Sequence, residues 1–472
     1  MNDPNGMVYY SGEYHLFYQH YPEGMTWGPM HWGHAVSTDL VHWMHRPIAL
    51  YPDSLGWIFS GSAVVDEDNT SGFGTQGNPP LVAVFTYHSN EKEKAGASDF
   101  QYQGIAFSVD RGRTWTKYDK NPVLKNQGVR DFRDPKVFWH EETHKWIMIL
   151  AVKDHVELWS STNLKEWNKL SDFGFDYGAH GGVWECPDLF PLKVEGEDLK
   201  RWVMIVSINP GGPNGGSATQ YFTGDFDGST FKPDGEKDEI RWIDYGPDNY
   251  AGVTWANAPE GRKIFLGWMS NWAYAQEVPT HPWRSAMTVA RDLSMKRIGK
   301  ELHVTSSVAP ELLKIAGQPQ VFESLTIDDV VNMSDMGDMG VGDVSKSIIS
   351  GTFEAKNFSL VLSNKSGQNI SIGFDSGNNR FFIDRSQSGQ TDFSKQYFLE
   401  GFAPRILSDA KISMTMIVDV SSVEVLFDEG VQAMTSVFFP EEEFSVLSIR
   451  SESSVAAENL SIWQLKSIWL LK

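Results

Sequence analysis

STDLVHW, residues 37–43, is a short stretch that recurs along the first part of the chain. Related stretches are SVDRGRTW at residues 108–115 and STNLKEW at 161–167, and a looser copy is GDFDGSTF at 224–231. Each contains a strand end, a polar turn and an aromatic residue that starts the next strand. The spacing of roughly 50 to 70 residues is typical of one β-propeller blade with long loops rather than of a solenoid repeat. About 300 residues at this period predict about five blades.

The segments between these turns also favour an all-β fold. Short apolar and aromatic runs alternate with clusters of Gly, Pro, Asn and Asp, and hardly any stretch has helical periodicity. We therefore predict a five-bladed β-propeller over residues 1–310. Its clearest predicted strands are residues 7–10, 14–18, 81–85, 146–150 and 202–206.

A second domain is predicted over residues 320–472, after a stretch in which the strand pattern weakens. Hairpin-type turns such as DEG at residues 428–430 separate its strands, and its size suits a C-terminal β-sandwich. We expect residues 333–342 to form a solvated loop and the domain to support the propeller structurally rather than to bind sugar independently. The predicted strands are residues 347–354, 358–363, 370–374, 380–384, 412–419, 423–427, 435–439 and 444–449.

Charge and aromatic content restrict the kinds of partner. The 472 residues carry a formal net charge of −21, so neither nucleic acid nor an anionic membrane surface is an expected partner. Aromatic residues make up 13% of the chain, with 18 Trp. Aromatic faces stack on neutral sugar rings, although an aromatic-rich β core would have the same composition.

The cysteine and histidine content argues against disulfides and metals. The single cysteine, Cys186, excludes an intramolecular disulfide and a zinc site built on several cysteines. The histidines do not have the spacing of a metal site, so we predict no metal and no cofactor. No apolar run is long enough to span a bilayer.

Three acidic motifs stand out in the propeller half: MNDPNG at residues 1–6, FRDPK at 132–136 and WECPDLF at 184–190. Each places a carboxylate near a proline, which restricts the backbone around it. Taken singly, each could be an ordinary polar turn. Because the inner strands of a propeller converge on its axis, we expect these acids to lie on successive blades and to meet at one end of the central channel.

Two facing carboxylates are what hydrolysis of a glycosidic bond needs, since one attacks the anomeric carbon and the other protonates the leaving oxygen. Asn2, Asn5 and nearby backbone N–H groups are expected to donate to Asp3 and keep it ionised. Apolar neighbours of Glu185 are expected to favour its protonated form. Asp134 follows an arginine, so we expect it to stay ionised and to hold sugar hydroxyl groups.

In order and spacing, the three motifs resemble the signatures of glycoside hydrolase family 32, which contains invertases, inulinases and levanases. NGGSATQYF at residues 214–222 is closer to microbial levanases and exo-inulinases than to plant enzymes. The resemblance covers nearly the whole chain. Further similar stretches are HLFYQ at 15–19, WGHA at 32–35, FSGSA at 59–63, DYG at 244–246, LGWM at 266–269, WRSAMT at 283–288, DRS at 384–386 and SVEV at 422–425.

The resemblance implies a propeller followed by a sandwich, a retaining mechanism and specific residue roles. Asp3 would be the nucleophile on a terminal β-fructosyl unit, and Glu185 the acid that protonates the departing oxygen and later the base that activates water. Asp134, with Arg133, would hold fructose hydroxyls and stabilise the transition state. The residues that match positions lining the fructose pocket are Asn2, Gln19, Trp27, Phe59, Ser60, Tyr250 and Trp268.

The implied activity is release of β-fructosyl units from fructans, levan or inulin, and from sucrose. The same acids would also serve an endo-acting enzyme or a fructosyltransferase, and the composition alone is compatible with a non-catalytic sugar-binding propeller. The tryptophan that precedes the first motif in the family is missing from this numbering. We therefore expect that an upstream segment has been removed and that the protein is exported, to the extracellular space, the periplasm or the cell surface.

Overall fold

The computed structural model describes residues 1–336 and 340–469 of the chain. Within these residues, five small sheets form the blades of a propeller and one large sheet forms a second domain. The helical segments of the same residues are α1 (Asn90–Lys94) and 3-10 turns at Pro259–Gly261, Pro310–Ile315 and Met333–Asp335. None of the described helices is long and apolar enough to cross a membrane.

The blades follow one another along the chain, each starting with its innermost strand. Blade 1 contains β1 (Pro4–Tyr10), β2 (Glu13–His20), β3 (His31–Ser37) and β4 (Met44–Leu50). Blade 2 contains β5 (Trp57–Val65), β6 (Leu81–His88), β7 (Gln101–Ser108) and β8 (Thr116–Lys117). Blade 3 contains β9 (Phe132–His140), β10 (Lys145–Val152), β11 (His155–Ser161) and β12 (Asn168–Phe173). Blade 4 contains β13 (Val183–Lys193), β14 (Lys200–Asn209), β15 (Ala218–Phe226), β16 (Phe231–Pro233) and β17 (Arg241–Trp242). Blade 5 contains β18 (Tyr250–Thr254), β19 (Ile264–Met269), β20 (Ala286–Met287), β21 (Arg291–Ile298) and β22 (Glu301–Val308).

The repeated stretch forms the turn between the third and fourth strands of blades 1 to 4. In blade 1, Asp39 Oδ1 accepts hydrogen bonds from the backbone N–H groups of Val41 at 3.1 Å and His42 at 2.9 Å. Trp43 Nε1 donates to the Leu40 carbonyl at 3.2 Å. Because the turn closes on its own side chains, it needs particular residues at fixed positions, and the repeat is visible in the sequence. The equivalent acceptors in the other copies are Asp110, Asn163 and Asp227.

Apolar cores lie between neighbouring blades and continue around the whole ring. Phe17 and Phe85 share the core between blades 1 and 2, for example, and Met7 and Leu266 share the core between blades 5 and 1. Backbone hydrogen bonds between β1 and Ala256, two residues after β18, close the ring. The Ala256 N–H donates to the Met7 carbonyl at 2.9 Å, and the Tyr9 N–H donates to the Ala256 carbonyl at 2.9 Å. The blades therefore surround a central channel lined by their innermost strands.

The second domain is a β-sandwich organised around one long strand, β32 (Val446–Gln464). The first part of β32 pairs with β25 and its last part pairs with β24, so the sheet folds over into two layers around an apolar core. The other strands are β23 (Gln320–Asn332), β24 (Ser347–Glu354), β25 (Phe358–Ser363), β26 (Asn369–Asp375), β27 (Arg380–Asp384), β28 (Glu400–Pro404), β29 (Lys411–Asp419), β30 (Ser422–Phe427) and β31 (Gln432–Val437).

The predicted all-β fold, a five-bladed propeller followed by a β-sandwich, is confirmed. The predicted strand at residues 444–449 was too short, since β32 has 19 residues, and β23 and β28 were not predicted. Strand β23 carries both charged and exposed apolar side chains, so it lacks a clean alternation. Within the predicted loop at 333–342, Met333–Asp335 forms a 3-10 turn, and residues 337–339 lie outside the described residues.

A buried cluster of charges joins the propeller to the sandwich. The Arg291 side chain in β21 is 1% exposed, and its Nη1 lies 2.9 Å from Asp244 Oδ2. Its Nη2 lies 2.6 Å from Glu424 Oε2 and 2.8 Å from Thr435 Oγ1, both in the sandwich. Glu424 also accepts the backbone N–H of Val289 at 2.7 Å. Each of these buried charges therefore has a partner, and the bonds of Arg291 connect the two domains.

We expect Glu424→Gln to lower the free energy of unfolding by about 3 kcal/mol, because it leaves the buried Arg291 charge with one anionic partner fewer. Denaturant unfolding measures this. The matched control is Glu458→Gln, which removes an exposed pair with Lys411 (side chains 42% and 56% exposed) and should cost less than about 1 kcal/mol. Equal effects of the two substitutions would contradict a stabilising role for the buried cluster.

Candidate active site

The innermost strands β1, β5, β9, β13 and β18 each have a register shift near their first residues, at positions 5–8, 58–61, 133–136, 185–188 and 250–253. The backbone is left-handed at Gly6, Asp134, Cys186 and Ala251, with φ of 52°, 65°, 45° and 54°. A β-bulge of this kind bends a strand and re-aims its side chains. All five bulges lie at the end of the channel that carries the three predicted acids.

Asp3 lies immediately before β1 and is enclosed by polar neighbours. Its Oδ2 accepts a hydrogen bond from Ser60 Oγ at 2.7 Å, and its Oδ1 accepts one from Asn2 Nδ2 at 3.2 Å. Burial, and then the nearby Glu185 carboxylate, raise the pKa of Asp3, whereas the bonds from Ser60 and Asn2 lower it. The expected donation by Asn2 is confirmed, but Asn5 donates instead to a backbone carbonyl at 2.8 Å.

Asp134 occupies the bulge of β9 and is also buried. Its Oδ2 accepts the backbone N–H of Cys186 at 3.1 Å, and Cys186 Sγ lies 3.7 Å from this oxygen and 3.7 Å from Asp3 Oδ2. Burial is the largest influence and raises the pKa of Asp134 to about 7, against the attraction of Arg133 and with the repulsion of Glu185 and Asp3. The sequence suggested that the adjacent arginine keeps Asp134 ionised; in the structure burial outweighs the arginine and raises this pKa.

Glu185 is held by an arginine and a tyrosine. Arg133 donates to Glu185 Oε1 from Nε at 3.1 Å and from Nη2 at 2.9 Å, and its Nη1 donates to Asp131 Oδ1 at 2.7 Å. Tyr250 OH donates to Glu185 Oε2, and burial followed by the Glu185 charge raises the pKa of this phenol. Trp184, which was expected to form part of an apolar wall at Glu185, packs instead into the core between blades 3 and 4.

The three acids come from blades 1, 3 and 4, so the expectation of successive blades was wrong. Blade 2 lies between Asp3 and Asp134 and contributes Ser60, which bonds to Asp3. Blade 5 contributes Tyr250, which bonds to Glu185. Each blade thus supplies at least one polar side chain to the same end of the channel.

A cavity lined by Asn2, the neighbour of Asp3, includes three of the predicted pocket residues, but none of the three acids lines it. Trp27 is 38% exposed, and its ring centroid lies 5.8 Å from that of Phe59, so an aromatic edge borders the opening. Gln19 is 3% exposed and does not line the cavity; its Nε2 donates to Asn5 Oδ1 at 2.8 Å and to the Ile58 carbonyl at 3.0 Å. The residues that line the cavity are Met1, Asn2, Tyr21, Gly24, Met25, Thr26, Trp27, Met30, Trp268, Trp272, Ala275, Gln276, Arg284 and Ser285.

The sequence reasoning missed the loop after β19 that forms one wall of this cavity. Gln276 Oε1 accepts the backbone N–H of Trp27 at 2.9 Å and a bond from Arg284 Nη1 at 3.3 Å, which ties this loop to blade 1. Trp272 packs on Trp268 with ring centroids 4.8 Å apart. The sequence could have indicated this loop, because the family-like stretches at 266–269 and 283–288 lie on either side of it.

Among the described residues, one group of side chains has the spacing of metal ligands: His155, Glu157 and Asp172 in blade 3. Lys169 Nζ lies 2.7 Å from Glu157 Oε1 and 2.7 Å from Asp172 Oδ1. The lysine therefore already neutralises both carboxylates.

Comparison with known proteins shows the family of this chain. The profile of the "Glycosyl hydrolases family 32 N-terminal domain" matches residues 1–306, and that of the "Glycosyl hydrolases family 32 C terminal" matches residues 311–464. The chain belongs to glycoside hydrolase family 32. A levanase of Bacillus subtilis is 46% identical to this family 32 chain over 99% of its residues and 69% of the levanase.

Two fungal members of family 32 are also similar. An extracellular exo-inulinase of Aspergillus ficuum is 38% identical over 94% of this chain and 88% of that enzyme. The crystal structure of an exo-inulinase from Aspergillus awamori superimposes with a TM-score of 0.90 at 34% identity, covering 99% of this chain and 96% of that one. The family membership thus extends over both domains.

We expect Asp134→Asn to raise the free energy of unfolding of this family 32 protein at pH 7 by about 1 to 3 kcal/mol, because the folded state holds this carboxyl at a raised pKa. Between about pH 4 and pH 7 the folded protein binds more protons at Asp134 than the unfolded chain does, so the wild type loses stability as the pH rises. Unfolding measured at several pH values should show a smaller loss in the variant. An identical pH dependence in both proteins would contradict the raised pKa.

Proposed function

We propose that the chain is a retaining β-fructosidase that releases β-fructosyl units from fructans and from sucrose. The observation that carries the proposal is the meeting of Asp3, Asp134 and Glu185 at one end of the channel. The related levanase and exo-inulinases support fructan as the substrate.

In this proposal Asp3 attacks the anomeric carbon of the fructosyl unit. The hydrogen bonds from Ser60 and Asn2 stabilise its ionised form against burial. The attack forms a bond between a carboxylate oxygen of Asp3 and the sugar as the glycosidic bond breaks. Water then hydrolyses this ester-like intermediate and releases fructose with its configuration retained.

Glu185 is the proposed acid and base. It gives its proton to the departing oxygen in the first step and removes a proton from water in the second. The Tyr250 hydroxyl and the Arg133 guanidinium fix its two oxygens in place.

Asp134 is the proposed holder of fructose hydroxyl groups. Its bond to the Cys186 N–H fixes one oxygen, and the Arg133 guanidinium, 3.9 Å away, favours its ionised form against burial. Negative charge at this point stabilises the positive charge that develops in an oxocarbenium-like transition state.

Fructose release from sucrose, inulin and levan, measured side by side by chromatography, tests the proposal. Early free fructose is expected, because relatives of this chain are named as exo-inulinases. Early oligosaccharides would instead indicate internal cleavage, and new fructosyl linkages would indicate transfer. Sugar binding without release of any reducing sugar would overturn the proposal in favour of a non-catalytic propeller.

We also propose that the protein acts outside the cytoplasm, in the extracellular space, the periplasm or at the cell surface. The support is that two of its relatives are named as extracellular exo-inulinases. Fractionation of the native host, with activity and antibody detection, tests this location.

A further inference from the structure

Polar side chains of one blade hold the bulge of the next blade at three places in the ring. A bulge withdraws backbone N–H and C=O groups from the strand ladder, and those groups need other partners when they are buried. In blades 1, 2 and 4, a residue of the second strand and the residue paired with it on the third strand occupy corresponding positions. These cross-strand pairs are Gln19 with Trp32, Thr86 with Gln103, and Ser207 with Thr219.

The pair in blade 2 serves the bulge of β9. The N–H of Asp134, the residue with φ of 65°, donates to Thr86 Oγ1 at 3.0 Å. Thr86 Oγ1 donates in turn to Gln103 Oε1 at 2.7 Å, and Gln103 Nε2 donates to the Phe132 carbonyl at 3.0 Å. Thr86 and Gln103 are both fully buried, so this chain of bonds has no alternative partner in solvent.

The pair in blade 4 serves the bulge of β18 in the same way. The N–H of Ala251, where φ is 54°, donates to Ser207 Oγ at 3.1 Å, and Ser207 Oγ lies 2.8 Å from Thr219 Oγ1. Ala251 follows Tyr250, whose hydroxyl bonds to Glu185. The pair in blade 1 bonds to backbone carbonyls of the next blade instead. Gln19 Nε2 donates to the Ile58 carbonyl at 3.0 Å, and Trp32 Nε1 donates to the Phe59 carbonyl at 2.9 Å.

We infer that Thr86 and Ser207 are positioning residues, which fix Asp134 and Tyr250 through the backbone of the neighbouring blade. Within the described residues, neither hydroxyl bonds to a carboxylate of the three acids; each accepts the N–H at the bulge that orients a site residue. A left-handed non-glycine residue is strained and persists only when its surroundings fix it. Loss of the acceptor leaves a buried N–H unpaired and lets the bulge relax toward regular strand geometry.

The inference rests on the proposed function, because the kinetic test measures fructose release. We expect Thr86→Val and Ser207→Ala to lower kcat on sucrose by about tenfold or more and to change KM by less than about threefold, since misplacement of Asp134 or Tyr250 weakens the transition state more than substrate binding. Thr86→Ser and Ser207→Thr keep a hydroxyl and should stay within about threefold of wild type. Assays are run well below the lowest melting temperature of the set.

The matched control is Ser347→Ala in the sandwich. Ser347 is also fully buried, and its hydroxyl donates to the Val344 carbonyl at 2.8 Å, far from the bulges in sequence and on a different domain. Its loss should reduce stability without changing kcat. If Thr86→Val and Ser207→Ala likewise keep the wild-type kcat, the inference is wrong. The two variants are in separate blades. If one of them does not fold, the kcat of the other still tests the inference.

A crystal structure of Thr86→Val separates failure of this inference from failure of the proposed function. The Asp134 carboxylate is expected to lose its 3.1 Å contact with the Cys186 N–H as the bulge relaxes. An unchanged contact would overturn the positioning role whether or not the protein cleaves fructosides. Absence of fructose release by the wild type would overturn the proposed function and leave this structural comparison valid.

Discussion

Asp3→Asn is expected to reduce fructose release by about 10⁴-fold or more, because an amide cannot form the bond to the anomeric carbon that the carboxylate forms. The fold should remain intact. Asn can still accept the hydrogen bond from Ser60, and it removes a buried carboxylate whose pKa is raised by burial and by Glu185. We therefore expect the free energy of unfolding at neutral pH to rise as activity disappears. Enzyme assays and denaturant unfolding on the same preparation measure both effects.

Asp39→Asn is the control for this substitution. It makes the same chemical change in the turn between β3 and β4, where Asp39 accepts backbone N–H groups. Blade 3 carries Asn163 at the equivalent position, with its Oδ1 3.0 Å from two backbone nitrogens, so Asn fits this turn. Activity should be unchanged. If Asp3→Asn kept turnover close to that of this control, Asp3 would not be the nucleophile.

Glu185→Gln is expected to lower kcat on sucrose and fructans by about 10²- to 10⁴-fold, since Gln supplies neither the proton for the leaving oxygen nor the base for water. The amide has nearly the same shape, and its oxygen can still accept from Arg133, which donates at 2.9 Å in the wild type. Loss of shape therefore does not explain the effect. Steady-state kinetics of the two proteins measure it.

The leaving group distinguishes the acid step from the base step. A β-fructoside whose leaving group has a low pKa needs little protonation, so the first step should recover in Glu185→Gln while the second stays slow. A burst of leaving group followed by slow turnover is the expected time course. Equal loss on activated and natural substrates, without a burst, would contradict the role of Glu185 as general acid.

The local motifs account for what the sequence could predict. The turn at residues 37–43 and its copies depend on hydrogen bonds within a few residues, so their pattern identified the blades. The acidic motifs likewise identified Asp3, Asp134 and Glu185 as neighbours, although the reason is that separate strands bulge at one end of the channel. Left-handed conformations at non-glycine residues such as Asp134 and Cys186 have no signature in composition.

The electrostatics of the site could not be predicted from adjacent residues. Arg133 is next to Asp134 in sequence, yet its guanidinium bonds to Glu185 and lies 3.9 Å from Asp134. Burial then dominates and raises the pKa of Asp134. Trp184, which precedes Glu185, lies on the opposite face of β13, as successive strand residues do. The burial of a side chain, and the face of the strand that lines the site, both depend on residues that are distant in sequence.

The most direct test of a fructosyl-enzyme mechanism is mass spectrometry of the trapped intermediate. Glu185→Gln is mixed with an activated β-fructoside, quenched during the burst and digested. We predict that the peptide containing Asp3 gains the mass of one anhydrofructosyl unit, and that Asp3→Asn combined with Glu185→Gln gains none. An adduct on a different residue, or steady turnover with inverted configuration in the first product, would contradict the account.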